Sequence, residues 1–492
     1  MNTVQHSKYP YTLERYCTAI LYSTIDLNND IHMTHFQIIS RDELHLHAVH
    51  LTNFDMFERG FEAAEKTGTF LGRGIFALDG NAWKKERTLL RPFLSKERIS
   101  DFEIFAKYAD KVLAILSEVA DSGRPIDIQD LFGRFTLDAA FEFLLGSCPN
   151  SLDASRPVPF PAHHGSKISA TDDQYGTFLH AFEEVQVAIA MRWRLGAFFP
   201  LYELFGDRTT PHVKVITSWV KPTVEKALQG KAQAKQRGVQ LKKEERTLLD
   251  SLVEDTDDEE TVRHGLINVL MASRDTTASL LSLTMYLLAM HPEVMRRLRT
   301  EVLEVCGRDS SPTHQTFRKM TYMTAVLNET LRLFPPAPLG IRNAVKDVLL
   351  PMPEGQPPLF FPNRARFSWL LLPLQRRRDL WGADADAFDP DRWLDPNRTA
   401  NYRERPWIFI PFLSGPRNCP GQEFALSEAS FLLVRLLQRF SSFDLALDAF
   451  PKGSLPPPEW KHGKGRQSVE KCWPSTAFTV FIKGGLWVRP RN

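Results

Sequence analysis

The sequence predicts a mainly helical fold with a minor amount of β-structure, and three observations support this. Apolar residues recur at three- and four-residue steps through most segments between about 81 and 441. Residues 261–290 are apolar nearly all round, which is typical of a helix at the centre of a core. Strand-like pieces, such as FQIIS at 36–40, are short. No internal repeat is visible, and the 492 residues permit either several domains or one large one.

Composition excludes several classes of protein. Hydrophobic residues make up 43% of the chain and charged residues 24%, as in ordinary globular proteins and unlike disordered or fibrous ones. Lys and Arg number 61 against 59 Asp and Glu, so no basic surplus indicates nucleic-acid binding. The five cysteines are odd in number and far apart, which favours a reducing compartment over a disulfide framework.

Neither a signal peptide nor a membrane-spanning helix is predicted. The first 30 residues lack a basic region followed by a long apolar stretch. The longest apolar-rich run, at 278–290, is about 13 residues and carries three hydroxyls, whereas a bilayer span needs roughly 20 apolar residues. We therefore interpret this run as part of a buried core helix.

The N-terminal half divides into alternating irregular and helical segments. Residues 1–56 are predicted to be irregular with short strands, and HLHAVH (His45, His47, His50) to be surface histidines, because no cysteine or carboxylate pair completes a zinc site. The remaining predictions are helices over 81–145, a Pro- and Ser-rich loop over 149–175, helices again to about 229, and a charged, solvated connection over 230–247.

The C-terminal half begins with the long apolar helix. A second helix starts at Pro292 and ends at Gly307, with proline in the first turn and glycine at the end. A third runs through MTAVLNETLRLF and stops at Pro335–Pro336. Strand-like segments and a helix near 421–441 follow. AFTVFI and LWVRP, on either side of Lys483–Gly485, predict a final hairpin.

The most informative stretch is FLSGPRNCPG at 412–421, a Gly- and Pro-rich loop directly before a helix. A cysteine at a helix N-terminus meets unpaired N–H groups and the positive dipole end, which favour the thiolate. Glycines let the backbone approach a large flat ligand, and Arg417 is suited to pair with an acidic substituent of that ligand. An isolated cysteine is more often an inert core thiol. The full pattern changes that interpretation.

These ten residues match F-x-x-G-x-R-x-C-x-G, and the chain thereby resembles the cytochrome P450 family of haem-thiolate monooxygenases. The resemblance implies that Cys419 is the axial ligand of the haem iron, whose electron donation favours O–O cleavage. It also places Phe412 near the macrocycle and Arg417 at a haem propionate. The fold it implies is one large helical domain, residues 1–492, with small sheets around a buried haem.

A second motif is Glu329-Thr-Leu-Arg332, which puts an acid and a base on one helix face. Surface pairs of this type are common and usually contribute under about 1 kcal/mol, so alone the motif is weak. In the family such a pair is joined by an arginine of a later F-x-P-x-R segment, here FDPDR ending at Arg392. The resemblance implies a structural network that supports the cysteine loop.

A third motif, MASRDTTAS, lies in the long apolar helix. An acid and hydroxyls within a buried helix are costly without partners, although hydroxyls often bond to the carbonyl one turn earlier. The family pattern is (A/G)-G-x-(D/E)-T-T, which implies that Thr276 steadies the activated oxygen and that Asp275 relays protons. Ser273 stands where the family usually has glycine, and this departure affects the width of the oxygen groove.

Trp83-Lys-Lys-Glu-Arg87 resembles the family's W-x-x-x-R, a weak motif by itself. Trp83 and Arg87 are four residues apart on one helix face and are therefore candidates to bind one haem propionate. Arg342, just past LFPPAPLG, is a further candidate. Mostly apolar residues are expected near the substrate: Phe76, Ile267, Met271, Ala337, Leu339 and Phe478.

The resemblance covers residues 40 to 490. Three sequence segments (NFDMFERG, GRGIFALDGNAW, RPFLSKERISDFE) are most similar to those of fungal members acting on long-chain alkanes and fatty acids. It implies heme b, electrons from NADPH through a flavoprotein reductase, and a hydrophobic substrate. It implies the cytosolic face of the endoplasmic reticulum, although no anchor helix is present in this sequence, so a cytosolic or peripheral membrane location is the alternative.

Alternative functions are a terpenoid or polycyclic aromatic hydroxylase and a haem-thiolate isomerase or peroxide-using enzyme. Intact Asp275–Thr276 weighs against the last of these. An alternative of another class is a non-catalytic haem-binding protein. Two departures favour it: the missing anchor, and Pro373, which is expected to interrupt a strand in FPNRARFSWLLLPLQRRRDLWG. A truncated or locally mis-assembled reading frame would explain both departures.

Overall fold

Helices account for most of the described chain, and the strands are short, as the sequence predicts. The computed structural model describes residues 17–22, 35–99, 102–159, 174–237 and 246–492. The α-helices are α1 Glu43–His47, α2 Phe61–Leu71, α3 Gly80–Leu90, α4 Lys96–Ile99, α5 Glu103–Ser122, α6 Ile128–Leu145, α7 Gln174–Leu195, α8 Phe199–Tyr202, α9 Thr210–Arg237, α10 Leu248–Asp255, α11 Glu259–Met290, α12 Pro292–Cys306, α13 His314–Lys319, α14 Thr321–Leu333, α15 Leu371–Leu374, α16 Arg378–Trp381, α17 Pro396–Glu404 and α18 Gln422–Arg439.

Within the described ranges, the strands form four small sheets. They are β1 Cys17–Tyr22, β2 His35–Ser40, β3 Phe57–Glu58, β4 Ile126–Asp127, β5 Leu339–Ala344, β6 Val348–Leu350, β7 Leu359–Phe361, β8 Arg366–Leu370, β9 Ser442–Leu445, β10 Pro474–Thr476, β11 Val480–Ile482 and β12 Trp487–Arg491. The chain divides into two compact units. The first comprises Met1–Ala63, Ala337–Ala385 and Pro396–Cys419, and the second comprises Ala64–Pro336, Asp386–Asp395 and Pro420–Asn492.

The first unit contains a five-stranded sheet with the order β1-β2-β8-β5-β3, in which only β2 and β8 are parallel. Strands β6 and β7 form a separate hairpin. Strand β8 is buried over its first four residues, and its Arg366 is neutralised by a buried ion pair with Glu62. The expectation that Pro373 interrupts this strand is wrong: β8 ends at Leu370, and Pro373 lies in the first turn of α15, where its missing N–H costs no helix hydrogen bond.

The second unit is built around α11, which the sequence predicts as its central helix. Asp258 caps the helix by accepting a hydrogen bond from the Thr261 amide at 3.1 Å. Its apolar residues pack against α6, α9, α14 and α18. Because nearly every face of α11 meets another helix, a polar side chain on it needs a partner or access to a cavity.

The final hairpin predicted between AFTVFI and LWVRP is wrong. Strand β11 pairs with β10, whereas β12 pairs with β4 and β9. Gly484 and Gly485 both have positive φ, and a Cβ on Gly485 would lie 2.1 Å from a carboxylate oxygen of Asp127. The double glycine therefore turns the chain toward β4 instead of back along β11.

Two other segment predictions differ from the structure. Much of 43–56 is helical, because α1 continues into a π-helical turn at Ala48–Thr52 and a 3-10 turn at Phe54–Met56. Helix α9 extends to Arg237, into the segment predicted as a solvated connection, of which residues 238–245 lie outside the described residues. Residues 160–173 of the predicted loop also lie outside them. No helix in the described part of the chain is long and apolar enough to cross a membrane.

Candidate active site

The loop carrying Cys419 has a defined backbone conformation. The Cys419 amide donates to the carbonyl of Phe412 at 2.9 Å, and the Asn418 amide donates to the carbonyl of Gly415 at 3.1 Å. Leu413 and Gly415 both have positive φ. Cys419 and Phe412 are half-buried, whereas Cys306 and Cys472 are buried. The loop therefore leaves the sulfur partly accessible while fixing the backbone that leads to it.

Gly415 is required for the packing of this loop. A Cβ there would lie 2.0 Å from the carbonyl oxygen of His50, so no other residue fits without moving backbone. His50 itself is buried and packs edge-on against Trp369, with the ring centroids 4.5 Å apart. Burial first, and then the positive charges of Arg342 and Arg59, lower the pKa of His50 to about 3. The histidine is consequently neutral at physiological pH.

The prediction that HLHAVH contains surface histidines is wrong. His45 and His50 are buried and His47 is half-buried, because this turn packs against aromatic residues of β8 and of the turn Pro406–Ile408. Among the residues the structure describes, no three His, Cys, Asp or Glu side chains are grouped as metal ligands. The cluster is part of the core of the first unit.

The proposed propionate partners are positioned within their own units. Arg342, on β5, is buried, donates to the carbonyl of Ile341 at 2.8 Å and lies 5.3 Å from the Trp369 ring. Trp83 and Arg87, on α3, share one face, with the guanidinium 5.9 Å from the indole ring. Arg417 is half-buried in the cysteine loop.

Glu329 is the centre of a saturated buried network in the second unit. Arg332 donates to both of its carboxylate oxygens, at 2.7 and 2.8 Å. Arg392, the indole N–H of Trp393 and the amide of Asp389 donate to the same carboxylate at 3.4, 3.0 and 3.1 Å. Glu329 and Arg332 are fully buried. Such a charge-assisted network holds the Pro390–Trp393 turn against α14.

A half-buried stripe interrupts the otherwise buried surface of α11. Ala272, Ser273 and Thr276 form it, while Met271, Arg274, Asp275 and Thr277 are buried. The Thr276 hydroxyl donates to the carbonyl of Ala272 at 2.7 Å, and the Ser273 hydroxyl donates to that of Val269 at 2.8 Å. Each hydroxyl thus bonds to the carbonyl one turn earlier in the helix, and these bonds orient both hydroxyls along the stripe.

Asp275 lies on a different face of α11 from Thr276 and is held by two donors. Arg274 Nη1 lies 2.5 Å from one carboxylate oxygen, and Gln186 Nε2 on α7 donates to the other at 2.8 Å. The side chain of Asp275 is 7% exposed. The partners Arg274 and Gln186 were not among the predicted site residues. Arg274 lies within the motif MASRDTTAS, directly before Asp275, whereas Gln186 lies 89 residues away and gives no sequence signal.

Glu428 on α18 is another buried acid that motif analysis missed. Neither of its carboxylate oxygens has a hydrogen-bond partner of good geometry among the described residues. Burial raises the pKa of Glu428 well above that of an ordinary carboxyl, and the nearby Thr277 hydroxyl opposes this rise only partly. Burial therefore favours the neutral form of this carboxyl.

The residues present fit a haem held by a single thiolate. Haem iron takes four of its ligands from the macrocycle, so the protein needs to supply one strong axial ligand rather than a cluster. The partly accessible thiol of Cys419, in a loop whose backbone is fixed by the bond from the Cys419 amide to the Phe412 carbonyl, meets that requirement. The buried thiols of Cys306 and Cys472 do not, because burial raises the pKa of both.

Comparison with known proteins identifies the family. A cytochrome P450 family model matches residues 30–453. The chain is 34% identical over 413 residues to cytochrome P450 monooxygenase himC of Aspergillus japonicus, covering 83% of this chain and 69% of that protein. It is 35% identical over 427 residues to cytochrome P450 monooxygenase pvhE of Talaromyces variabilis, covering 82% and 74% of the two chains.

A third fungal relative is cytochrome P450 52A13 of Debaryomyces hansenii, which is 35% identical over 421 residues, covering 83% of this chain and 76% of that protein. These matches confirm the mainly helical fold and the monooxygenase class inferred from the motifs. The chain belongs to the cytochrome P450 family.

Proposed function

We propose that this monooxygenase hydroxylates long, apolar substrates of the alkane and fatty-acid type, with electrons supplied by NADPH through a flavoprotein reductase. The observation that carries the proposal is the rigid loop presenting the Cys419 thiol in the family's haem-binding pattern. Haem bound through a thiolate supplies the activation of dioxygen and the insertion of one oxygen atom into a C–H bond.

The residues of the chain then have separate tasks. Cys419 binds the iron, with Phe412 beside the macrocycle, while Arg417, Arg342, Trp83 and Arg87 hold the propionates of heme b.

Two further groups act away from the propionates. The Thr276 hydroxyl positions the proton that the reaction consumes, and Asp275 supplies it. The Glu329–Arg332–Arg392 network keeps its own unit rigid and takes no part in the chemistry.

Exposed cations on one surface of the second unit support docking of an acidic reductase. Lys84 and Lys85 on α3, and Arg91 and Lys96 in the turns after it, are exposed. Lys85 forms an ion pair with Asp255 at 2.7 Å. Complementary charge accelerates association, so reduction by the reductase is expected to slow as ionic strength rises.

A segment whose apolar side chains face outward and whose acidic side chain faces the protein supports a peripheral membrane location. Residues 198–205 (FFPLYELF) expose Phe198, Leu201, Leu204 and Phe205, the last completely, whereas Glu203 turns inward. The buried Arg192 binds Glu203 bidentately at 2.9 Å and Asp207 at 2.7 Å, so the polar groups face the protein and the apolar ones face outward.

The charges around this segment favour an anionic lipid surface as its partner. Arg194, Arg208 and Lys214 are exposed near it, while the neighbouring acids Glu203 and Asp207 are paired with Arg192. Apolar side chains rimmed by cations are typical of interfacial anchors. We expect the double variant Leu204→Ser/Phe205→Ser to lose binding to vesicles containing phosphatidylserine, with Val469→Ser, an exposed site elsewhere, as the control. Loss of self-association instead would identify a second copy as the partner.

The substrate class is tested by binding spectra and isotope-labelled turnover. The purified haem-loaded protein is titrated with an alkane, a fatty acid, a terpenoid and a polycyclic aromatic, and turnover is run with a reductase, NADPH and ¹⁸O₂. The proposal predicts a spectral shift with the alkane or fatty acid and one ¹⁸O atom in the product. Spectral shifts and labelled products confined to the terpenoid or the polycyclic aromatic would contradict it.

A further inference from the structure

Asn268 is a buried polar side chain on α11 that takes no part in the proposed proton delivery. It is 1% exposed. Its amide nitrogen donates to the carbonyl of Leu71 at 2.8 Å and to that of His264 at 2.7 Å, and its oxygen accepts from the Phe76 amide at 3.4 Å. Both N–H groups and the oxygen are therefore used. All of these residues belong to the second unit.

The bonds from Asn268 to Leu71 and Phe76, together called the Asn268 clasp, hold the loop that follows α2. Helix α2 ends at Leu71, and the carbonyl of a last helical residue has no partner within its own helix. This carbonyl also accepts from the Gly74 amide at 3.2 Å. Asn268 thus caps the end of α2 from another helix and fixes the loop backbone again at Phe76.

Two glycines let this loop lie directly against α11. A Cβ on Gly74 would lie 2.1 Å from Asn268 Nδ2, and a Cβ on Gly72 would lie 2.1 Å from His264 Nδ1. A larger residue at position 74 would have to displace the Asn268 side chain. The position of the loop and that of Asn268 therefore depend on each other.

The clasp holds a short apolar segment that the protein covers only in part. Residues 75–78 (IFAL) are all half-buried, so each keeps some surface outside the packing of the chain. Asn268 precedes Thr276 by eight residues on α11, which is about 12 Å along the helix axis. An apolar wall at this distance from the Thr276 hydroxyl is suited to contact an alkyl chain.

We propose that Asn268 is a positioning residue that fixes the loop 72–78 against the substrate and thereby determines which carbon of an alkyl chain is hydroxylated. The proposal rests on the alkane and fatty-acid activity proposed above. The methylene groups of such a chain carry no polar group by which they could be distinguished. The choice among them therefore depends on how firmly an apolar wall holds the chain.

Removal of the clasp is expected to change the products more than the rate. The haem-loaded enzyme is supplied with a reductase, NADPH and either dodecane or dodecanoic acid. In Asn268→Ala, the ratio of the main hydroxylated product to its positional isomers is expected to fall about fivefold, with turnover within about threefold of wild type. Hydrogen exchange in the segment 72–78 is expected to rise about tenfold.

Ser282→Ala is the matched control for these measurements. It removes another buried hydrogen bond of α11, from the Ser282 hydroxyl to the Ala278 carbonyl at 2.6 Å. The product ratio and the exchange of the segment 72–78 are expected to equal those of wild type.

A cycle of substitutions separates positioning from a general loss of stability. Gly74→Ala is expected to displace Asn268 and to lower the product ratio as Asn268→Ala does. In the Asn268→Ala background, Gly74→Ala is expected to change the ratio by less than about twofold, because the three atoms nearest to the added methyl group are then absent. Effects of the two substitutions that multiply would overturn the clasp.

An unchanged product ratio in Asn268→Ala would overturn the positioning role even if the thermal midpoint falls, because a helix cap alone affects stability and not selectivity. Should Asn268→Ala fail to incorporate haem, an unchanged ratio in Gly74→Ala would overturn it in the same way. A wild-type enzyme that oxidises neither dodecane nor dodecanoic acid would contradict the proposed function instead.

Discussion

Glu329 and Asp275 are both buried helical carboxylates paired with arginine, yet their surroundings differ. Glu329 receives donors from Arg332, Arg392, Trp393 and the Asp389 backbone, and it has no exposed surface. Asp275 has one charged and one neutral donor, and it borders a cavity. A carboxylate whose acceptor sites are all occupied by rigid donors supports structure, whereas one with a displaceable donor and access to a cavity can exchange a proton.

The largest effect is expected from breaking the saturated network. Glu329→Gln removes the negative charge that Arg332 and Arg392 share, and removing one side of a buried ion pair costs about 3–5 kcal/mol. We expect the variant, and likewise Arg332→Ala, to fail to incorporate haem, measured by the haem-to-protein ratio and thermal midpoint after purification. Glu304→Gln, an exposed glutamate on α12, is the control. Fully haem-loaded Glu329→Gln with a normal thermal midpoint would show that the network is peripheral.

The second effect concerns chemistry without loss of fold. Thr276→Ala is expected to keep substrate and haem binding but to divert reducing equivalents to hydrogen peroxide, because the hydroxyl that positions the proton is lost. Asp275→Asn is expected to lower NADPH consumption itself. Product formed per NADPH is measured with peroxide in parallel. If both variants keep the wild-type rate and the wild-type ratio of product to NADPH, Asp275 and Thr276 contribute only to helix packing.

The first unit supplies a pH effect of intermediate size. The pKa of His50 is about 3 in the folded protein against 6.5 in the unfolded chain, so the unfolded state binds more protons between these values and stability falls as pH falls below 6.5. At pH 5 the expected loss is about 2 kcal/mol.

A substitution isolates this contribution. His50→Gln should flatten the decline in denaturation midpoint between pH 7 and pH 5, while the exposed His462→Gln should leave it unchanged. An identical decline in both variants would place the titrating group elsewhere.

The smallest expected effect is the contribution of Glu428, a third buried acid, to the pH dependence of stability. Within the described part of the chain, no charged side chain bonds to Glu428. Its raised pKa makes the folded state bind more protons than the unfolded chain as the pH rises above the pKa of a free carboxyl. Its contribution to stability therefore declines toward alkaline pH, and Glu428→Gln should remove that decline without preventing haem incorporation. Chemical denaturation at pH 5 and pH 8 measures it. A Glu428→Gln protein less stable than wild type at pH 8 would contradict the raised pKa of Glu428.

Sequence reasoning succeeded where local pattern determines the structure. The largely apolar sequence of α11, and the prolines around α12 and α14, define those helices within their own residues. It failed where distant contacts decide. The burial of His50 depends on Trp369, and the pairing of β12 depends on β9 and β4, none of which a local window contains. Gln186 meets Asp275 only because α7 packs near α11.

The central claim, that Cys419 is the haem ligand of a P450 monooxygenase, is tested most directly by the carbon-monoxide difference spectrum of Cys419→Ala. The half-buried Cys148 provides the matched variant Cys148→Ala. The account predicts that Cys419→Ala loses the thiolate-type absorption band whereas Cys148→Ala retains it in full. A thiolate-type band that persists in purified Cys419→Ala would contradict the assignment.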